Sequence, residues 1–121
     1  MQKILSENIN PTLKKISSKG LDFKKMNGLI PVIAQEMNSG IVLMLAYTNT
    51  SAFEKTVKTG YAHYWSRSRK TIWKKGEISG NSQKIIEILV DCDKDALIYK
   101  VQQKGPACHT GKPNCFFTKL L

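Results

Sequence analysis

The residues best able to do chemistry lie in the last third of the chain: Asp91, Cys92, Asp93 and Asp95 in one short segment, and Cys108, His109 and Cys115 in another. Three thiolates suit a borderline-soft ion such as Zn²⁺. Three protein ligands with a fourth position open to water is the arrangement of catalytic rather than structural zinc. The chain has no CxxC knuckle, which excludes a zinc ribbon, while a closed Cys3His site using His109 stays open as an alternative. Any one cysteine taken alone reads as a buried free thiol; it is the gathering of all three with a histidine and acids that points to metal. Asp91, Asp93 and Asp95 alternate with period two, so an extended segment sets them on one side and the Cys92 sulfur on the other. Three such carboxylates repel one another unless a hard cation sits among them, and Mg²⁺ takes oxygen ligands of this kind. An EF-hand loop is excluded, because Ala96 stands where that loop needs glycine and Gln102 where it needs glutamate. A solvated acidic turn between strands is the competing reading.

A second constellation is basic and aromatic: Trp65, Ser66, Arg67, Ser68, Arg69 and Lys70, then Trp73, Lys74, Lys75 and Gly76, then Ser79 and Gly80. Arg67 and Arg69 offer forked donors for phosphate oxygens, Ser66, Ser68 and Ser79 add hydroxyls, and the glycines let backbone approach a ligand. The alternative is that both tryptophans face the core while the cations solvate a strand edge. His63, in an apolar stretch, reads as a satisfied core histidine. Across the chain, 19 Lys and Arg against 9 Asp and Glu give a formal +10, a field that attracts phosphorylated metabolites, nucleic acid or anionic membrane.

The elements that must position these groups fit one domain of 121 residues. Leu5, Ile9, Leu13 and Ile16 predict a short N-terminal helix ending near Gly20. Strands are expected over 29–35 and 41–47, joined antiparallel through the Asn38-Ser39-Gly40 turn. A helix follows over 52–59, with Asn49, Thr50 or Ser51 as N-cap, Ser51 and Glu54 as a capping box, and Gly60 as C-cap. Further strands are expected over 61–66, 71–74, 84–90 and 97–101, giving an α+β unit whose sheet is mostly antiparallel with a few short helices. No apolar run reaches membrane-spanning length, and Met1 to Ile4 lead into no secretory segment, so no membrane partner and a cytoplasmic location are expected. In that reducing compartment the thiols favour metal over disulfide.

With these residues in view, the chain closely resembles the phosphoribosyl-AMP cyclohydrolases, which open the adenine ring of their substrate in histidine biosynthesis. The resemblance runs from about Asn27 to Phe117. It rests on Gly28-Leu29-Ile30-Pro31, Val42 to Tyr47, Trp65 to Arg69, Trp73 with Lys75-Gly76-Glu77, Ser79-Gly80, Asp91-Cys92-Asp93 with Asp95-Ala96-Leu97, and Gly105 to Gly111 leading to Cys115. It implies an N-terminal extension over residues 1–26, a cyclohydrolase domain over 27–121, and no pyrophosphohydrolase domain behind it. It implies an intertwined homodimer in which zinc is held by Cys92 of one subunit with Cys108 and Cys115 of the other, and magnesium by Asp91, Asp93 and Asp95. Lys94 stands where the family usually has glycine, and Asn27 where aspartate is frequent.

The family reaction agrees with the residue inventory. A phosphoribosyl group on N1 makes the purine cationic and exposes C6 to water, and His109 beside the metal can move the protons that N1–C6 cleavage requires. Trp65, Ser66, Arg67, Ser68, Arg69, Lys75 and Ser79 are then the expected contacts to a small phosphorylated nucleotide, with no need for nucleic acid. A basic zinc-stabilised nucleic-acid-binding module is the alternative, distinguished by a steep salt dependence of polymer binding.

Overall fold

Alternation along one strand sets the architecture. In Ile30–Glu36 (β1), Ile30, Val32 and Ala34 are fully buried while Ile33 between them is exposed, so one face of the strand belongs to a core and the other does not. The computed structural model describes residues 20–121. After β1 come Val42–Thr48 (β2), a helix Thr50–Thr59 (α1), His63–Ser66 (β3), Thr71–Lys74 (β4), Gln83–Val90 (β5) and Leu97–Gln103 (β6). Four strands form a sheet in the order β2-β1-β6-β5, and β3 with β4 form a separate antiparallel ribbon. The expected N-terminal helix and most of the 1–26 extension lie outside the described residues.

The β1–β2 hairpin and the β5–β6 hairpin are antiparallel, as expected, but β1 and β6 run parallel, with Val32 opposite Leu97 and Glu36 opposite Val101. Leu97, Tyr99 and Val101 of β6 alternate inward in the same way whichever direction the strand runs. Its burial pattern therefore carries no directional signal. What joins the two strands is the whole middle of the chain, the long crossover that parallel pairing requires.

Asn49 is the N-cap that the fold uses. Its Oδ1 accepts from Ala52 N–H at 2.9 Å, and the helix starts two residues earlier than expected, at Thr50. At the other end Gly60 adopts φ 81 and donates to Thr56 O at 2.9 Å, the left-handed cap that glycine provides at least cost. Phe53 of α1, Tyr64 of β3 and Tyr99 of β6 are the largest side chains of the core. Gln83 is buried with them, accepting from the Tyr64 hydroxyl at 2.6 Å and donating to Gln103 Oε1 at 2.9 Å. This pair ties the first residue of β5 to the last of β6. His63 is buried, its Nδ1 2.9 Å from Tyr61 O, as a core histidine should be.

Two glycines after β4 allow a controlled comparison. Gly76 has φ +81, and a Cβ there falls 2.4 Å from Ser82 N and 2.5 Å from Asn81 C; Gly80 has φ +82 with open space around it. Gly80→Ala is expected to cost about 1 to 2 kcal/mol, the left-handed penalty alone. Gly76→Ala adds a backbone clash and is expected to cost at least about 3 kcal/mol, read from urea unfolding of both variants. Equal losses remove the clash as the cause.

Candidate metal centre

The two segments expected to ligate metal leave opposite ends of one hairpin. At one end Val90 pairs with Leu97 and the chain turns through Asp91 to Ala96; at the other Gln83 pairs with Gln103, and residues 104–117 begin there. The seven residues of β6 separate these ends by roughly 20 Å. Cys92 thus belongs to one end, and Cys108, His109 and Cys115 to the other.

The acidic segment is a turn, not the extended run that alternation suggested. Asp91 Oδ1 accepts from the backbone N–H of Asp95 at 3.0 Å and of Ala96 at 3.3 Å, and Lys94 adopts φ 65 to close it. That left-handed backbone accounts for glycine at this position in the resembling family, and Asn27, at φ 54, is likewise left-handed. The turn still brings the three acids together, with ligand oxygens of Asp91, Asp93 and Asp95 all within 4.8 Å of one another. Exposed carboxylate oxygens gathered in this way are the donor type that a hard cation such as Mg²⁺ takes, so the residues fit the ion and would hold it. A cation already touches the cluster: Lys25 Nζ lies 2.8 Å from Asp95 Oδ2. The Lys25 hydrogen bond and charge hold the Asp95 carboxyl below its ordinary value, and Asp95 in turn raises Lys25.

At the opposite end, residues 104–117 are pinned by backbone bonds. Lys104 N–H donates to Ser82 O at 2.9 Å, and Cys115 N–H donates to Leu43 O of β2 at 2.8 Å. Between them a tight loop folds on itself, with Ala107 N–H to Pro113 O and Cys108 N–H to Lys112 O, both at 3.2 Å. This brings the Cys108 and Cys115 thiols next to each other. The Thr110 hydroxyl donates to Cys108 Sγ at 3.0 Å and, as the largest influence, draws that thiol below its ordinary pKa. Desolvation and the neighbouring Cys108 push Cys115 upward. Two adjacent thiols fit a soft metal, although a chelate needs more than two. His109 is exposed on the same loop.

The expected phosphate cradle divides in the same way. Trp65, Ser66, Arg67, Ser68 and Arg69 surround the β3–β4 turn, while Lys75 and Ser79 follow β4 at its far end, roughly 10 Å along the strand. Arg69 N–H donates to Ser66 Oγ at 3.2 Å, and the Arg67 guanidinium lies 4.0 Å from the centroid of the Tyr47 ring. Trp65 lines an open cleft of about 370 Å³ together with Asn27, Gly28, Leu29, Asn49, Thr50 and Ser51. Apart from Trp65, the residues of this cleft were not singled out from the sequence, since the signals at Asn49 to Ser51 read as caps and those at Asn27 to Leu29 as the approach to a strand. Trp73, by contrast, packs against the core. Ser79 Oγ accepts from Asn81 N–H at 3.1 Å. Lys75 points away from the arginines, and its Nζ donates to Ala107 O at 2.5 Å. Burial lowers the Lys75 pKa, against the pull of the Cys115 and Cys108 thiols.

The family model for phosphoribosyl-AMP cyclohydrolase matches residues 44–117, a span that includes the acidic turn, the thiol loop and both parts of the basic constellation. The chain is 62% identical over 93 residues to the phosphoribosyl-AMP cyclohydrolase of Archaeoglobus fulgidus, covering 77% of this chain and 86% of that protein. It is 56% identical over 108 residues to the protein of the same name from Cenarchaeum symbiosum, covering 89% of this chain and 98% of that one. It is also 67% identical over 94 residues to the histidine biosynthesis bifunctional protein HisIE of Aquifex aeolicus, covering 77% of this chain and 46% of that protein.

Proposed function

Because this chain belongs to the phosphoribosyl-AMP cyclohydrolase family, we propose that it hydrolyses the N1–C6 bond of phosphoribosyl-AMP, a step of histidine biosynthesis, using zinc and magnesium. The observation that carries the reading is that one family match spans the acidic turn, the thiol loop and the basic residues together. When bound, zinc would supply the Lewis acidity that lowers the pKa of water to about 7, and magnesium would offset the charge of the acidic turn. Cys92, Cys108 and Cys115 hold the zinc, and Asp91, Asp93 and Asp95 hold the magnesium. His109 takes a proton from the attacking water and returns one to N1 as the ring opens. Arg67, Arg69, Ser66 and Ser68 bind the phosphoribosyl ends by charge-assisted hydrogen bonds, and Trp65 in its cleft offers a face for stacking. The formal +10 charge is then matched to a small, doubly phosphorylated substrate rather than to a nucleic acid.

The zinc set is completed by a second copy of the chain. Two observations support this. Cys92 lies at the opposite end of the β5–β6 hairpin from Cys108 and Cys115. In addition, an apolar row crosses the uncovered face of the sheet in register, from Leu45 through Ile33 and Ile98 to Leu89, with Leu45 50% exposed and Ile33 and Leu89 each 39% exposed. Such a row on a soluble chain marks an interaction face. Among the described residues no helix is long and apolar enough to cross a membrane. A cytoplasmic location keeps the thiols reduced for metal binding.

The test is direct: protein loaded with one zinc per chain, given magnesium and phosphoribosyl-AMP, and followed by ultraviolet absorbance as the purine ring opens. Ring opening that disappears on zinc chelation and returns on reloading is the expected result. A zinc-replete protein that leaves the substrate unchanged overturns the proposal.

A further inference from the structure

We propose that Lys75 is a positioning residue for the zinc-binding loop, holding Cys108 and Cys115 ready for the metal instead of contacting substrate. The inference rests on the zinc reading above and deepens it.

Lys75 starts from fixed backbone. Its own N–H donates to Ala62 O at 3.0 Å, and the next residue is Gly76, whose turn is packed so closely on Asn81 and Ser82 that no Cβ fits. From there the side chain runs past the ring of Trp73, with Nζ 5.9 Å from its centroid, and ends on the carbonyl of Ala107. Ala107 is almost fully buried, and it immediately precedes Cys108. Its N–H is satisfied within the loop by Pro113 O, and its carbonyl by Lys75. Without the ammonium, that buried carbonyl keeps no donor, and the peptide joining Ala107 to Cys108 is free to rotate. Rotation there turns Cys108 Sγ away from Cys115.

Charge acts in the same direction. Zinc binding requires thiolates, and two of them on one short loop repel each other. The Lys75 ammonium lies close enough to feel both Cys115 and Cys108. It is also half-buried, where a cation is poorly screened by solvent. Arg67 and Arg69 stand at the other end of β4, so Lys75 is the cation of the basic constellation that serves the thiol loop.

The experiment compares full-length Lys75→Met, which keeps the length and removes the charge, with Lys75→Arg, which keeps the charge. Zinc affinity is measured by competition with a chromogenic chelator, melting is measured on metal-free protein, and KM is measured on the zinc-loaded enzyme. Lys75→Met is expected to bind zinc 10- to 100-fold more weakly, roughly the loss seen when a group supporting a metal ligand is removed. Its metal-free melting should fall only slightly, because the freed peptide can turn its carbonyl toward water, while the KM of the loaded enzyme should stay close to wild type and Lys75→Arg should recover a large part of the affinity. A raised KM with unchanged zinc affinity assigns Lys75 to the substrate and overturns the inference. A weaker affinity that follows a drop in metal-free melting, with no rescue by arginine, reduces the residue to packing and overturns it as well. A wild-type chain that takes up no zinc removes the metal reading, and the role of Lys75 with it.

Discussion

Mixing Cys92→Ser subunits with Cys108→Ser subunits is expected to restore about a quarter of wild-type turnover, from two variants that each lack nearly all of it. Each parent dimer has a damaged ligand set at both sites and should lose most of its zinc along with its activity. In a mixed dimer one site collects both substitutions and the other collects neither. Random reassortment makes about half of the dimers mixed, each with one intact site of its two. The expectation follows from the hairpin geometry: a single chain holds Cys92 at the Val90–Leu97 end of β5 and β6, and Cys108 beyond Gln103 at the other. Zinc content should return in the same proportion. If mixing restores neither activity nor metal, the three thiols belong to one chain and the shared site is overturned.

His109→Ala is expected to lower kcat by roughly 10² to 10⁴, the usual contribution of a general acid and base, while zinc content and melting temperature change little. The residue is exposed on a loop whose fold does not depend on its side chain, since Gly111 N–H to Cys108 O at 3.0 Å and the bonds to Lys112 and Pro113 shape it through backbone. If His109 instead closed a Cys3His site, the variant would lose zinc and stability together, because structural zinc contributes directly to folding free energy. Zinc content and kcat measured on one purified preparation decide between the two. A zinc-replete variant with near-normal kcat removes both roles.

The inventory of able residues was legible from residue types alone. Residue types and close spacing identified the thiols, the acids, the histidine and the arginine-rich turn, and local periodicity located the strands, because burial on one face writes itself into alternating residues such as Ile30, Val32 and Ala34. Turn and cap signals were legible for the same reason: Gly60 and Asn49 act within a few residues of themselves. Close neighbours also explain why the three acids gather although their backbone turns instead of running extended, since five consecutive residues stay near one another either way.

What only the tertiary structure decided is where the distant pieces stand. The β5–β6 hairpin sets the acidic turn and the thiol loop at opposite ends of one strand, and β1 lies parallel beside that strand. The β3–β4 ribbon likewise divides a basic run that looked continuous, so that the arginines share one end with the cleft of Trp65 while Lys75 reaches the carbonyl before Cys108. A side chain reports whether its face is buried, but it carries no record of which strand lies beside it or in which direction that strand runs. Those choices come from long-range packing over the whole chain, and they decide which of the chemically able residues can meet.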